Sequence, residues 1–174
     1  MASWLEGDVS VWPGYEPGFG PDEETTELIP TLVAANRAGF VTEASQPGCD
    51  EVDAGGVRWL QSAAVSGLVG DVQLLAQIRR ACEQAGLIVM MHHPTLGLWS
   101  HQTPVTWRGD EPHTWFGGQL TASDLRHIWR GLRPEALDAV VNAWQVTAID
   151  PEYGRNDRLW PALDEAAGRT VAAP

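Results

Sequence analysis

The chain has 174 residues and a net charge of −12, with 11 basic against 23 acidic residues, and 44% of the residues are hydrophobic. This length predicts one domain with a substantial core, and the acidic balance argues against nucleic acid or an anionic membrane as a partner, because phosphate binding depends on clustered Lys and Arg. The sequence shows neither an apolar run of transmembrane length nor a signal peptide, so we expect a cytoplasmic protein.

The N-terminal part divides into an arm and a helix. Residues 1–22 are rich in Pro, Gly and Trp, a composition that predicts an ordered arm without a long helix or a central strand. A helix is predicted over residues 23–38, where Thr25 or Thr26 can cap the first turn and Gly39 can end it. We expect residues 23–168 to form a single ligand-binding domain, followed by a loose tail over residues 169–174.

Hydrophobic periodicity and turn residues predict the remaining elements. The clearest is an amphipathic helix over 71–85, which Asp71 caps and Gly86 ends. In chain order the predictions are a strand at 40–42, a turn at 45–48, a loop at 49–56, a strand at 57–69, the helix at 71–85, strands at 87–91, 103–107 and 113–120, one or two helices within 124–144 and a strand at 145–150.

Several sequence blocks share their order with those of a known domain. The first block contains Glu24-Thr25, then Asn36-Arg37-Ala38-Gly39, then Phe-Val-Thr-Glu-Ala-Ser-Gln-Pro over residues 40–47. It resembles the C-terminal regulatory domain of eukaryotic-type methylenetetrahydrofolate reductase, which has a Glu-Thr pair, Asn-x-x-Gly and a Leu-Thr-Ile-Asn-Ser-Gln-Pro strand and turn. Further similar blocks lie at 55–63, 105–107, 121–124 and 150–163.

The resemblance implies a fold and excludes one activity. The expected fold class is α+β, with a mixed β-sheet core flanked by about five helices. The chain is too short to add the (β/α)8 reductase barrel, which needs about 250 residues, so folate reduction is not expected of this chain. In that family the domain also forms the dimer contact, so the resemblance implies a homodimer.

The resemblance also implies a site for S-adenosylmethionine or S-adenosylhomocysteine, which the family's domain binds as an allosteric signal. A carboxylate can accept ribose hydroxyls or meet a positive group, hydroxyls can bond the head group or the adenine edge, and a tryptophan can stack on adenine. Trp12 is an alternative stacking residue. The implied ligand-binding residues are Glu24, Thr25, Thr42, Ser45, Gln46, Thr106, Trp107 and Thr121.

Two functions from different classes follow. The first is a non-catalytic binding protein for S-adenosylmethionine, S-adenosylhomocysteine or a related adenosine nucleotide. It would act as a sensor with an unidentified protein partner, or would sequester a nucleotide messenger as small phage anti-defence proteins do. No catalytic residue, metal or cofactor is expected beyond this adenosine-containing ligand.

The alternative is a small enzyme that hydrolyses, lyses or transfers a group from such a ligand. Its general acid or base would come from Glu24, Glu43, His92 or His93. The sequence contains no nucleophile–base motif, metal-ligand spacing or Gly-rich phosphate loop, which favours the binding protein.

Overall fold

The protein combines helices with one sheet, as seen in a computed structural model that describes residues 1–12, 18–96 and 101–169. The helices in these ranges are α1 (Ala2–Leu5), a 3₁₀ helix (Glu23–Leu28), α2 (Ile29–Ala38), α3 (Val72–Gln84), α4 (Ala122–Ile128), α5 (Pro134–Val141) and α6 (Leu159–Ala166). The strands are β1 (Phe40–Gln46), β2 (Cys49–Val52), β3 (Arg58–Val69), β4 (Ile88–His92), β5 (Thr103–Arg108), β6 (Glu111–Phe116) and β7 (Trp144–Tyr153). None of these helices could cross a membrane, given their length and polarity.

The long strand β3 organises the sheet, because its two halves pair with different neighbours. Its first part, from Arg58 to Gln61, pairs with β2 and β5, and its later part, from Ser62 to Val69, pairs with β1 and β7. Strand β6 pairs with β5, and β4 pairs with β7. All of these pairings are antiparallel, so the α+β class is confirmed, while the expected mixed sheet is an antiparallel one over the described residues.

The main core lies on one face of the sheet, under α1, α2, α3 and α6. Strand β3 contributes Ala63, Val65 and Val69 to it, since alternate residues of a strand share a face. Helix α1 places Trp4 and Leu5 in the same core, so the predicted N-terminal arm begins with a helical turn. Burial of these two apolar side chains anchors the N-terminus to the sheet.

The predicted helix over residues 23–38 is divided in two. A 3₁₀ helix precedes α2, and Pro30 lies in the first turn of α2, where its missing N–H is not needed. Neither Thr25 nor Thr26 caps a helix, contrary to the prediction, because the 3₁₀ segment places Thr25 inside the protein. Gly39 ends α2 with a left-handed φ of 110°, as predicted.

Strand β1 extends as far as Gln46 and so includes the first half of the segment 45–48 that was predicted to be a turn. Ser45 pairs with Val65 and Gln46 pairs with Ala64, because β3 is long enough to offer partners at both positions. The predicted loop at 49–56 likewise contains β2, which returns towards β3 through a tight turn. In that turn Asp53 Oδ1 accepts hydrogen bonds from the backbone N–H groups of Gly55 and Val57.

Most later predictions agree with the structure. The helix expected over 71–85 is α3, and the Asp71 side chain accepts hydrogen bonds from the N–H groups of Gln73 and Leu74. Two helices, α4 and α5, fill the segment for which one or two were predicted, whereas β6 ends at Phe116 and not at residue 120. The parts of the predicted arm at 13–17 and of the tail at 170–174 lie outside the described residues.

Candidate functional site

A β-bulge in β1 places Glu43 at the centre of the candidate site. Thr42 lies opposite Gly67 of β3, but Ala44 lies opposite Ser66, so Glu43 is an extra residue without a partner of its own. Bulges of this kind redirect a side chain and are common beside active sites. Here the bulge coincides with a cavity that Glu43 lines.

This cavity, which we call the tryptophan cavity, has a volume of about 430 Å³. Its size falls within the range of about 300–1,000 Å³ that is typical of small-molecule sites. It lies between three strands, β1, β3 and β7, and the segments packed over them. Its lining residues are Trp12, Glu43, Ala44, Ser66, Gly67, Gln102, Trp115, Phe116, Gly117, Gly118, Leu120, Ile128, Trp129, Gln145, Val146 and Thr147.

Short polar side chains form the floor of the tryptophan cavity, and an apolar cluster lies on either side of them. Ser66 of β3 and Thr147 of β7 lie directly opposite each other. On the same face of β3, Leu68 belongs to one cluster with α4 and α5, and Ala64 belongs to another with residues of β5 and β7. The short side chains of Ser66 and Thr147 therefore leave open space between the clusters, and their hydroxyls offer hydrogen bonds to a ligand.

Aromatic rings form the walls of the cavity. The rings of Trp12 and Trp129 pack edge to face, with 5.2 Å between centroids and an angle of 89°, and Trp129 is 3% exposed. Trp115 and Phe116, at the end of β6, also line the cavity, and Trp115 is 48% exposed. Such rings provide large rigid surfaces for stacking on a flat ligand or for contact with a cation.

The segment that leads from β6 to α4 is fixed over the cavity by Gln145. The side-chain amide of Gln145 donates to the Leu120 carbonyl oxygen at 2.7 Å and accepts from the Leu120 N–H at 2.7 Å. The Gln145 side chain thus bonds both backbone groups of Leu120, as a neighbouring strand would, and holds this segment against β7. Thr121 follows directly and caps α4, in a capping box with Asp124.

The Glu43 carboxylate gives the cavity its charge. It is partly buried, and burial raises its pKa, while a hydrogen bond from the indole Nε1 of Trp129 acts in the opposite direction. That bond is 3.2 Å long and ends on Glu43 Oε1. Among the lining residues within the described ranges, Glu43 is the ionisable one. A partly desolvated carboxylate of this kind can attract a cation or take up a proton.

Three of the residues implied by the resemblance meet at a second, smaller cavity, which shares Glu43 and Ala44 with the tryptophan cavity. Thr25, Thr42 and Ser45 line this space of about 130 Å³ together with Trp4 and Leu5. The bulge brings Thr42 and Ser45 to one face, since residues three apart in a regular strand face opposite sides. The space is well below the usual size of a ligand site.

The Thr42 hydroxyl is also engaged within the protein. It accepts a hydrogen bond of 2.8 Å from Asn36 Nδ2, and the Thr42 N–H donates to Asn36 Oδ1 at 3.1 Å. These bonds tie the end of α2 to the start of β1. The Asn-x-x-Gly block of the sequence therefore has a structural role at this junction.

Three other implied residues, Glu24, Gln46 and Thr106, are linked through Gln61. Gln46 Nε2 donates to Thr106 Oγ1 at 3.1 Å, and Thr106 Oγ1 donates to Gln61 Oε1 at 3.2 Å. Gln61 Nε2 in turn donates to Glu24 Oε2 at 3.3 Å. Gln46 and Thr106 are both buried, so this network satisfies polar groups inside the protein and fastens β1 to β5.

The last two implied residues, Trp107 and Thr121, lie apart from both cavities. Trp107 is partly buried on β5, and its indole Nε1 donates to the hydroxyl of Tyr153 at 2.9 Å. The Thr121 hydroxyl and N–H both donate to Asp124 within the helix cap. The eight implied residues are thus distributed over several places, and none of them lines the tryptophan cavity.

Sequence reasoning named two residues of the tryptophan cavity in other roles and missed most of the rest. Trp12 was an alternative stacking residue, and Glu43 was a candidate acid or base for an enzyme. Trp129, Ser66 and Thr147 had no signal, because tryptophans occur throughout the chain and short hydroxyl residues are common in strands. Only pairing of the strands brings these residues together.

Comparison with known proteins adds a family but no activity. No curated protein sequence matches the chain. A family described as a domain of unknown function, DUF6919, matches residues 1–169, a range that contains every helix and strand described above and both cavities. The chain therefore belongs to the DUF6919 family.

Proposed function

We propose that this protein is a non-catalytic binding protein for S-adenosylmethionine, S-adenosylhomocysteine or a related adenosine-containing ligand, and that the ligand occupies the tryptophan cavity. The observation that carries the proposal is the position of Glu43, a partly buried carboxylate on a β-bulge beside perpendicular tryptophan rings. The protein would sense the ligand and signal its presence to a protein partner, or it would sequester the ligand.

The chemistry of the cavity suits the parts of such a ligand. Adenine is flat and stacks on tryptophan rings such as Trp115 and Trp12. The ribose diol and the amino-acid head can bond the hydroxyls of Ser66 and Thr147 and the carboxylate of Glu43. A concave, mostly apolar space with a few converging polar groups is the usual form of a small-molecule site.

Calorimetric titration of two matched variants distinguishes this cavity from the site implied by the resemblance. Trp115→Ala removes an exposed ring that lines the tryptophan cavity, and Trp107→Ala removes a ring that lies outside it. Loss of one stacking ring costs about 1–3 kcal/mol, so we expect Trp115→Ala to weaken binding of S-adenosylmethionine about tenfold and Trp107→Ala to leave it unchanged. The reverse result would place the ligand near β5, and no binding by the unaltered protein would refute the proposal.

A second candidate function, an enzyme acting on the same ligand, is favoured by two observations. The Glu43 carboxylate lies in the cavity, and its burial raises its pKa. Raised carboxyl pKa values of this kind are common among general acids and bases. His92 lies opposite Gln145 in the sheet and so on the same face as the cavity floor. Its buried Nε2 has no hydrogen-bond partner among the described residues.

Product analysis separates the two functions. The protein would be incubated with S-adenosylmethionine, and the products would be followed by mass spectrometry. Steady turnover that Glu43→Gln abolishes would establish the enzyme. Binding without turnover would leave the binding protein as the function.

A further inference from the structure

The tryptophan cavity contains the carboxylate of Glu43 and no cationic residue in its described lining, and Met1 lines the smaller cavity that Glu43 also borders. Among the described residues that line it, none is Arg, Lys or His, and the ion pairs formed within the described parts of the chain do not include Glu43. A partly buried carboxylate without a cation is costly, and a bound cation would offset that cost. The net charge of −12 adds a field of the same sign.

The walls are suited to a cation that cannot donate hydrogen bonds. The faces of tryptophan rings attract positive charge, and they also accept the alkyl groups of a sulfonium or a quaternary ammonium. Trp12 packs edge to face against Trp129, and Trp12, Trp115 and Phe116 all line the cavity. Carbon-bound cations with a diffuse charge match aromatic walls with one carboxylate better than a small ammonium ion does, because the latter needs several acceptors.

The same features disfavour a phosphate group. Phosphate sites are built from arginine, lysine or clustered N–H donors, and a like charge at Glu43 would repel the anion. The arginines that form ion pairs in the described ranges pair with carboxylates away from this cavity, as in Arg155 with Asp150. A phosphorylated nucleotide would therefore bind here against the local charge.

We propose that the tryptophan cavity selects an onium ligand, in which a sulfonium or quaternary ammonium lies among the tryptophan rings next to Glu43. Applied to the proposed function, on which this inference rests, it means that S-adenosylmethionine is bound in preference to S-adenosylhomocysteine and to phosphorylated adenosine nucleotides. The two methionine nucleosides differ by one methyl group and one positive charge, so they provide the comparison.

The test is calorimetric titration of the unaltered protein, Glu43→Gln and Glu111→Gln with both nucleosides and with adenosine monophosphate. Gln keeps the shape of Glu43 and an oxygen acceptor for Trp129, and Glu111 is an exposed residue that provides the same change of charge elsewhere. We expect the unaltered protein and Glu111→Gln to bind S-adenosylmethionine about tenfold more tightly than S-adenosylhomocysteine, a difference of about 1.4 kcal/mol. In Glu43→Gln this preference should become clearly smaller, because only the attraction of the rings remains.

Equal binding of both nucleosides by the unaltered protein, or preferred binding of the phosphate, would overturn charge selection and leave the proposed function standing. If no nucleoside binds, the proposed function fails, and choline is compared with 3,3-dimethyl-1-butanol, which has the same shape without the charge. Preferred binding of choline that Glu43→Gln abolishes would support the onium site by itself. Equal or absent binding of both small molecules would overturn it.

Discussion

Glu43 and Trp129 are 86 positions apart in sequence, and a hydrogen bond of 3.2 Å joins the indole Nε1 of Trp129 to Glu43 Oε1. The bond connects the β-bulge of β1 to the residue that follows α4. It therefore fixes both the direction of the carboxylate and the position of one aromatic wall.

Replacing Trp129 by Phe should raise the pKa of Glu43 further. The indole hydrogen bond lowers that pKa against the effect of burial, so its loss leaves burial unopposed. The smaller ring should also cost about 1–3 kcal/mol of stability, because Trp129 is buried. The pKa would be measured by NMR titration of labelled carboxyl carbons.

Trp160→Phe is the matched control, since Trp160 is also buried and its Nε1 donates to Asn156 Oδ1 at 3.2 Å. It should reduce stability without changing the pKa of Glu43. An unchanged pKa in Trp129→Phe would show that the indole bond does not act on the carboxylate.

Glu43→Gln should stabilise the protein at neutral pH. Because burial raises the pKa of Glu43, the folded protein holds this proton more tightly than the unfolded chain does. Ionisation therefore opposes folding: the penalty is absent below the unfolded-state pKa of about 4.3 and is fully present once the pH has risen through the folded-state pKa. The stabilisation by Gln should thus appear at neutral pH and disappear at about pH 4.

Urea denaturation of both proteins at the two pH values gives this difference. Glu111→Gln serves as the exposed control and should give a smaller change. A stabilisation that is the same at both pH values would mean that Gln acts through packing and that ionisation of Glu43 does not oppose folding.

Gly67→Ala should disrupt the pairing of β1 with β3 beside the bulge. A Cβ at Gly67 would lie 2.3 Å from the Val41 carbonyl oxygen and 2.8 Å from Thr42 Cα, distances that the backbone must relieve by moving. We expect the free energy of unfolding to fall by about 1–3 kcal/mol and ligand binding to weaken.

Gly70→Ala is the control for this substitution, because a Cβ there meets nothing within 4 Å. Thermal unfolding should distinguish the two variants clearly. Equal melting temperatures would show that β1 shifts away from β3 at little cost.

Arg155→Met should be strongly destabilising. Arg155 Nε donates to Asp150 Oδ2 at 2.8 Å, and Arg155 Nη2 donates to Asp150 Oδ1. The Asp150 side chain is fully buried. Removal of the arginine leaves an uncompensated buried charge, for which the cost is about 3–5 kcal/mol. The free energy of unfolding would be measured in urea.

Arg58→Met breaks a similar two-point pair with Asp50, but both of these side chains are exposed to solvent. Water and salt screen such an exposed pair, so this variant should be nearly as stable as the unaltered protein. Similar losses in both variants would contradict the role assigned to burial.

The sequence by itself determined those elements whose signals are local. Asp71 and Gly86 bound an amphipathic pattern, and α3 follows it; Gly39 ends α2 for the same kind of reason. The α+β class was expected from the resemblance of sequence blocks, and the observed elements agree with it. The helix ends depend on residues within one or two turns of each other, so no knowledge of distant partners was needed.

The tertiary structure alone decided the candidate site. The bulge at Glu43 is visible only in the pairing of β1 with β3, where it changes which face each later residue occupies. Gln46, predicted in a turn, became a buried strand residue because β3 offered it a partner and Thr106 a hydrogen bond. The tryptophan cavity exists because separate strands and a helix converge around Ser66 and Thr147, and such convergence depends on long-range packing that local sequence does not encode.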